Sequence, residues 1–90
     1  MKREQRILRY LAESLELIRA GERDCVPIVG RLDNAAFAAS IGGWKQVSRC
    51  IAAAEEFFLV GCYKVAERAL ASAVEFAEQS FAGEGNRAEG

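Results

Sequence analysis

Histidine is missing altogether from these 90 residues. That removes the commonest general base and the commonest metal ligand near neutral pH. The cysteines are Cys25, Cys50 and Cys62, an odd number with no C-x-x-C spacing. They offer neither a disulfide framework nor a zinc site. Three free thiols, expected as buried small hydrophobes, suit a reducing compartment, so the expected location is cytoplasmic. The longest apolar run, Phe57 to Tyr63, falls far short of the roughly 20 residues a membrane-spanning helix needs. The charged start Lys2-Arg3-Glu4 carries no apolar leader. No glycine-rich phosphate loop, nucleophile elbow or metal-ligand spacing occurs. The sequence therefore predicts no catalytic residue, no cofactor and no metal.

The formal charge of −1 gives no global attraction to nucleic acid or anionic lipid. The basic residues are mostly arginine and much of the 51% hydrophobic fraction is alanine, a composition typical of GC-rich bacterial or phage genes. A chain this short forms one domain and is marginally stable alone. Binding to a partner, or pairing as a homodimer, would help to cover it.

What the chain does have is helical periodicity punctuated by glycine. Ile7, Leu8, Leu11, Leu15 and Ile18 recur at the three- and four-residue spacing of one buried stripe. They predict a first helix over 2–20, stopped by Gly21. Asp24 is placed to cap a second helix, with Pro27 tolerated in its first turn. Its stripe is Val29, Leu32, Ala36 and Ala39, weakened by Gly30, and Asp33 or Asn34 could cap a fresh start within it. Gly42-Gly43 ends that segment. A third helix over 44–60 carries Trp44, Val47, Ile51, Ala54 and Phe58 on one face, and Gly61 separates it from a fourth over 62–81. The fourth carries Ala66, Ala69, Leu70, Ala73 and Ala77 along a narrow small-residue stripe. Residues 83–90 lack periodicity and are expected to be a flexible tail. Connections this short make successive helices antiparallel.

The first and third helices also match one another. Residues 9–21 align without gaps on 49–61, with Arg9/Arg49, Ala12/Ala52, Glu16/Glu56 and Gly21/Gly61 identical. From Cys50 to Ala73, Ala54, Phe57, Gly61, Tyr63, Ala66, Leu70 and Ala73 fall at the spacing of small and large residues in two paired helices. This segment resembles a tetratricopeptide (TPR) repeat. In the first hairpin Tyr10, Ser14, Leu17 and Gly21 fit the same positions, whereas Arg23, Val26, Gly30 and Asp33 do not. The fold class is thus all-α, four antiparallel helices forming either a four-helix bundle or two stacked TPR-like hairpins. The resemblance implies a concave surface lined by the first and third helices that binds a segment of another protein.

On this reading the partner-binding residues are Arg9, Trp44, Lys45, Arg49 and Phe58. Trp44, Lys45 and Arg49 form a basic-aromatic cluster of the kind enriched at interface hot spots. Phe57 and Phe58 are consecutive and cannot both point inward. Phe57 takes the core position of the repeat pattern, which leaves Phe58 as the exposed contact, although the stripe through Ile51 and Ala54 argues for the reverse. Lys2, Arg6 and Arg9 share a basic face, supporting an alternative as a nucleic-acid-associated accessory protein. Glu55 and Glu56 diverge by about 100° on a helix and do not face each other as an acid pair. Cys25, in a helical first turn, is the thiol best placed for reactivity. The expected function is a small non-catalytic interaction module, an adaptor or an inhibitor of the kind encoded by phage and mobile elements.

Overall fold

The computed structural model describes the backbone of residues 2–89 and the side chains of residues 2–83. The chain forms α1 (Arg3–Arg19), α2 (Cys25–Ile41), α3 (Lys45–Leu59) and α4 (Tyr63–Glu89). All three connections are built alike. The N–H of Gly21 donates to the carbonyl of Ile18 and that of Glu22 to Leu17; Gly43 and Trp44 repeat the pattern on Ser40 and Ala39, and Gly61 and Cys62 on Phe58 and Phe57. This is the Schellman motif, which satisfies the last carbonyls of a helix and needs a left-handed residue just past its end. Gly21, Gly43 and Gly61 supply it, with φ of 93°, 89° and 86°.

α2 starts as expected, with Asp24 Oδ1 accepting the N–H of Val26 at 3.1 Å. It continues unbroken through Gly30, Asp33 and Asn34. The fourth helix does not stop near Phe81. Its backbone runs through Gly83 to Glu89, about 40 Å at 1.5 Å per residue, which accounts for the 43 Å long axis of the molecule. The side chains of 84–89, and Gly90, lie outside the described residues.

The helices close into a ring. Each packs on the next in sequence, and α4 packs back on α1; among the described residues no Cα of α1 comes within 8 Å of one in α3, nor one of α2 within 8 Å of one in α4. This is a four-helix bundle in up-down-up-down order. The core takes Ile7, Leu11, Leu15 and Ile18 from α1, Ile28, Leu32, Ala35 and Ala39 from α2, Val47, Ile51, Ala54 and Phe58 from α3, and Ala66, Leu70, Ala73 and Ala77 from α4. On α2 this corrects the expected stripe: Val29 and Ala36 are only half-buried, and Ile28 and Ala35, one residue earlier, take their places. Alanine on α2, α3 and α4 brings backbones close, and the larger residues of α1 and α3 fill the space between. Buried Ser14 satisfies its hydroxyl locally by donating to the Tyr10 carbonyl at 2.9 Å.

Candidate partner interface

The bundle corrects the surface expected from the self-match. α1 and α3 stand diagonally across the ring rather than side by side, so they do not line one concave surface. The aligned residues Arg9 and Arg49 lie on different corners, both exposed. Arg9 Nε donates to Glu13 Oε2 at 3.1 Å, and Arg31 of α2 donates to Oε1 of the same carboxylate at 3.1 Å. These two guanidinium groups, Arg9 first and Arg31 next, hold the Glu13 carboxyl below its ordinary pKa. The basic face of α1 is therefore partly neutralised by its own helix.

Phe58 requires a second correction. It is 2% exposed and sits in the core, its ring edge-on to Tyr63 at 5.2 Å. Phe57 is the exposed member of the pair, at 39%. The stripe Val47-Ile51-Ala54-Phe58 fixes this, since residues three and four apart share a helix face and Phe57 lies one step off it.

Trp44 is half-buried at the corner where α2, α3 and α4 meet. Its ring stands edge-on to Phe81 with centroids 4.7 Å apart, and its Nε1 is buried without a hydrogen-bond partner. Most of this indole is used in packing. Its outer edge borders a shallow cleft with Lys45, Val47, Phe76 and Ser80. Lys45 and Arg49, one turn apart at the start of α3, are both exposed. Cys25 and Cys62 are exposed as well, and Cys50 is half-buried. The expectation that all three thiols are buried therefore fails, because two of them sit at helix ends outside the apolar stripes.

Exposed apolar side chains without a place in the expected interface cluster on α2, and Leu59 and Val60 at the end of α3 are exposed as well. Val26 is 78%, Phe37 68% and Ile41 57% exposed. They share a stripe with Gly30, Asp33 and Asn34, opposite the buried stripe Ile28-Leu32-Ala35-Ala39. Within the helix only Arg31 and Asp33 are charged. α2 thus exposes large apolar side chains toward both of its ends on the outward face, with the polar Asp33 and Asn34 between them. The scarcity of charge between Cys25 and Ile41 was the available signal.

α3 flanks this face. Ser48 Oγ donates to the Ala36 carbonyl at 2.9 Å across the α2–α3 seam. Farther along the seam Glu55 meets Asp33. Burial, then a hydrogen bond with Asp33 and the charges of Asp33 and Glu56, raise the Glu55 pKa to about 7. An acid pair thus exists, but across two helices and not within one. The flank runs from basic at Lys45 and Arg49 to acidic at Glu55 and Glu56.

No helix among the described residues is long and apolar enough to cross a membrane. Among the described residues no group of three Cys, Asp or Glu side chains is placed to hold a metal ion. Comparison with protein-family models, with curated proteins and with solved structures finds no match to this chain.

Proposed function

We propose that this chain is a small non-catalytic protein-interaction module, an adaptor or inhibitor, whose binding surface is the outward face of α2 flanked by Lys45 and Arg49 of α3. One observation carries the reading. Val26, Phe37 and Ile41 stand more than half exposed on a single stripe of a helix with only Arg31 and Asp33 to solvate it. Phe37 and Ile41 lie one turn apart and Val26 stands at the other end of the stripe; exposed apolar groups of this size mark interaction sites, and the basic residues beside them add directionality to the encounter. Arg9 and Phe58, expected as contacts, are left out: the first lies on another corner and the second is core.

A photo-crosslinking amino acid at position 37 tests the face. In lysate from the native host it should form protein adducts, while the same group at exposed Ser72 of α4 should form few. Equal labelling at the two positions would remove this face from consideration.

A further inference from the structure

We infer that the occupant of the α2 face is a second copy of this chain, docked antiparallel across a two-fold axis that passes between Asp33 and Asn34. The inference rests on the reading of that face as a binding surface and specifies what binds there. An isologous interface must be self-complementary, because each residue meets its counterpart's opposite number. The exposed stripe of α2 meets that demand when read in both directions. Reversed about the midpoint of Asp33 and Asn34, Val26 falls opposite Ile41, Gly30 opposite Phe37, and Asp33 opposite Asn34.

The Gly30–Phe37 pairing explains a residue the monomer does not. Gly30 lies inside a helix, where glycine costs about 1 kcal/mol relative to alanine. A Cβ there would meet nothing within 4 Å of its own chain, and its φ is not positive. Neither packing nor backbone conformation within one copy calls for glycine. Opposite Phe37 of a second copy, its missing side chain is the hole into which the exposed ring fits. A parallel pairing would stack Phe37 on Phe37 and leave Gly30 facing Gly30.

The long-range charge pattern agrees. The contacts of Ser48 with Ala36 and of Glu55 with Asp33 fix how α3 lies alongside α2. The same two-fold sets the α3 helices of the two copies antiparallel on one side of the seam, with Lys45 and Arg49 of one copy level with exposed Glu56 of the other. The seam from Val26 to Ile41 is about 22 Å long at 1.5 Å per residue and uses one helix from each copy, so association is expected at the weak end of specific interfaces.

Sedimentation equilibrium from micromolar to submillimolar concentration, with circular dichroism on each sample, tests this. The wild-type chain should pass from monomer to dimer. Gly30→Leu has room in the monomer and improves helix propensity, so it should keep or raise the melting temperature while weakening dimerisation by about tenfold or more, as overpacking a filled seam does. The swapped variant Gly30→Phe with Phe37→Gly should recover much of the loss, because it restores one large and one small residue at each contact. A wild-type chain that stays monomeric throughout would overturn the inference. So would a dimer indifferent to Gly30→Leu, which would place the contact elsewhere. A monomer that still crosslinks another protein from position 37 would overturn the second copy as occupant and leave the α2 face standing as a binding surface.

Discussion

Gly42 lies directly under the indole of Trp44: a Cβ built on it would collide with Cζ3 and Cε3 of the ring. The glycine is needed there for space, since its φ of −74° is one any residue adopts. Gly42→Ala must push the indole off its place against Phe81, despite alanine's better helix propensity. We expect a loss of about 1–3 kcal/mol, read as a lower melting temperature.

Two other glycines separate conformation from space. Neither Gly21 nor Gly30 has a neighbour within 4 Å of an added Cβ, but Gly21 has φ +93°. Gly21→Ala should destabilise by about 1–2 kcal/mol, the cost of a left-handed L-residue. Gly30→Ala, measured where the chain is dilute enough to be monomeric, should stabilise by up to about 1 kcal/mol. Urea denaturation of the two variants should give changes of opposite sign.

Phe57 and Phe58 are expected to differ sharply. Phe58→Ala empties a core position and should cost about 3–5 kcal/mol. Phe57, at 39% exposure, should lose about 1 kcal/mol or less on the same change. Equal losses would contradict the assignment of Phe58 to the interior.

The acid pair on the α2–α3 seam gives stability a pH dependence. Glu55 titrates at about 7 in the folded chain against an ordinary 4.5. Between those values the native state holds a proton that the unfolded state has released. The stabilisation is therefore fully present below 4.5 and is lost as pH rises through 7. Asp33→Asn, which removes the neighbouring charge, should flatten that fall in chemical denaturation series from about pH 5 to about pH 8. Glu13 works in the other direction: its pKa is lowered by Arg9 and Arg31, so its contribution is lost on acidification.

Much of this architecture was legible in the sequence, and for local reasons. Helix periodicity and the glycines after each helix placed the turns to within a residue or two. The alignment of residues 9–21 with 49–61 records the same capped helix end used twice, and Gly43 uses it a third time with less sequence likeness around it. What stayed hidden depends on contacts between distant segments. That α4 returns to α1, and so sets α1 and α3 on a diagonal, follows from how four stripes close on one core; no single stripe encodes it. For Phe57 and Phe58 the repeat pattern and the α3 stripe point opposite ways, and the stripe Val47-Ile51-Ala54-Phe58 decides, because it is the face that packs on the core. Glu55 and Asp33 lie on different helices, so their meeting depends on the register between α2 and α3. The continuation of α4 through Gly83 shows a glycine tolerated where other glycines act as stops. The difference is φ: Gly83 lacks the left-handed value seen at Gly21, Gly43 and Gly61.

Trp44, the single tryptophan of the chain, is also its natural fluorophore. Its indole N–H is out of water and its ring edge rests on Phe81, at the corner that joins the end of α2, the start of α3 and the far half of α4. Emission from this one ring therefore reports whether α4 is seated at that corner. An undocking of α4 there should shift the spectrum to longer wavelength before the rest of the bundle loses its helical signal, so the protein carries a built-in optical gauge of its own closure.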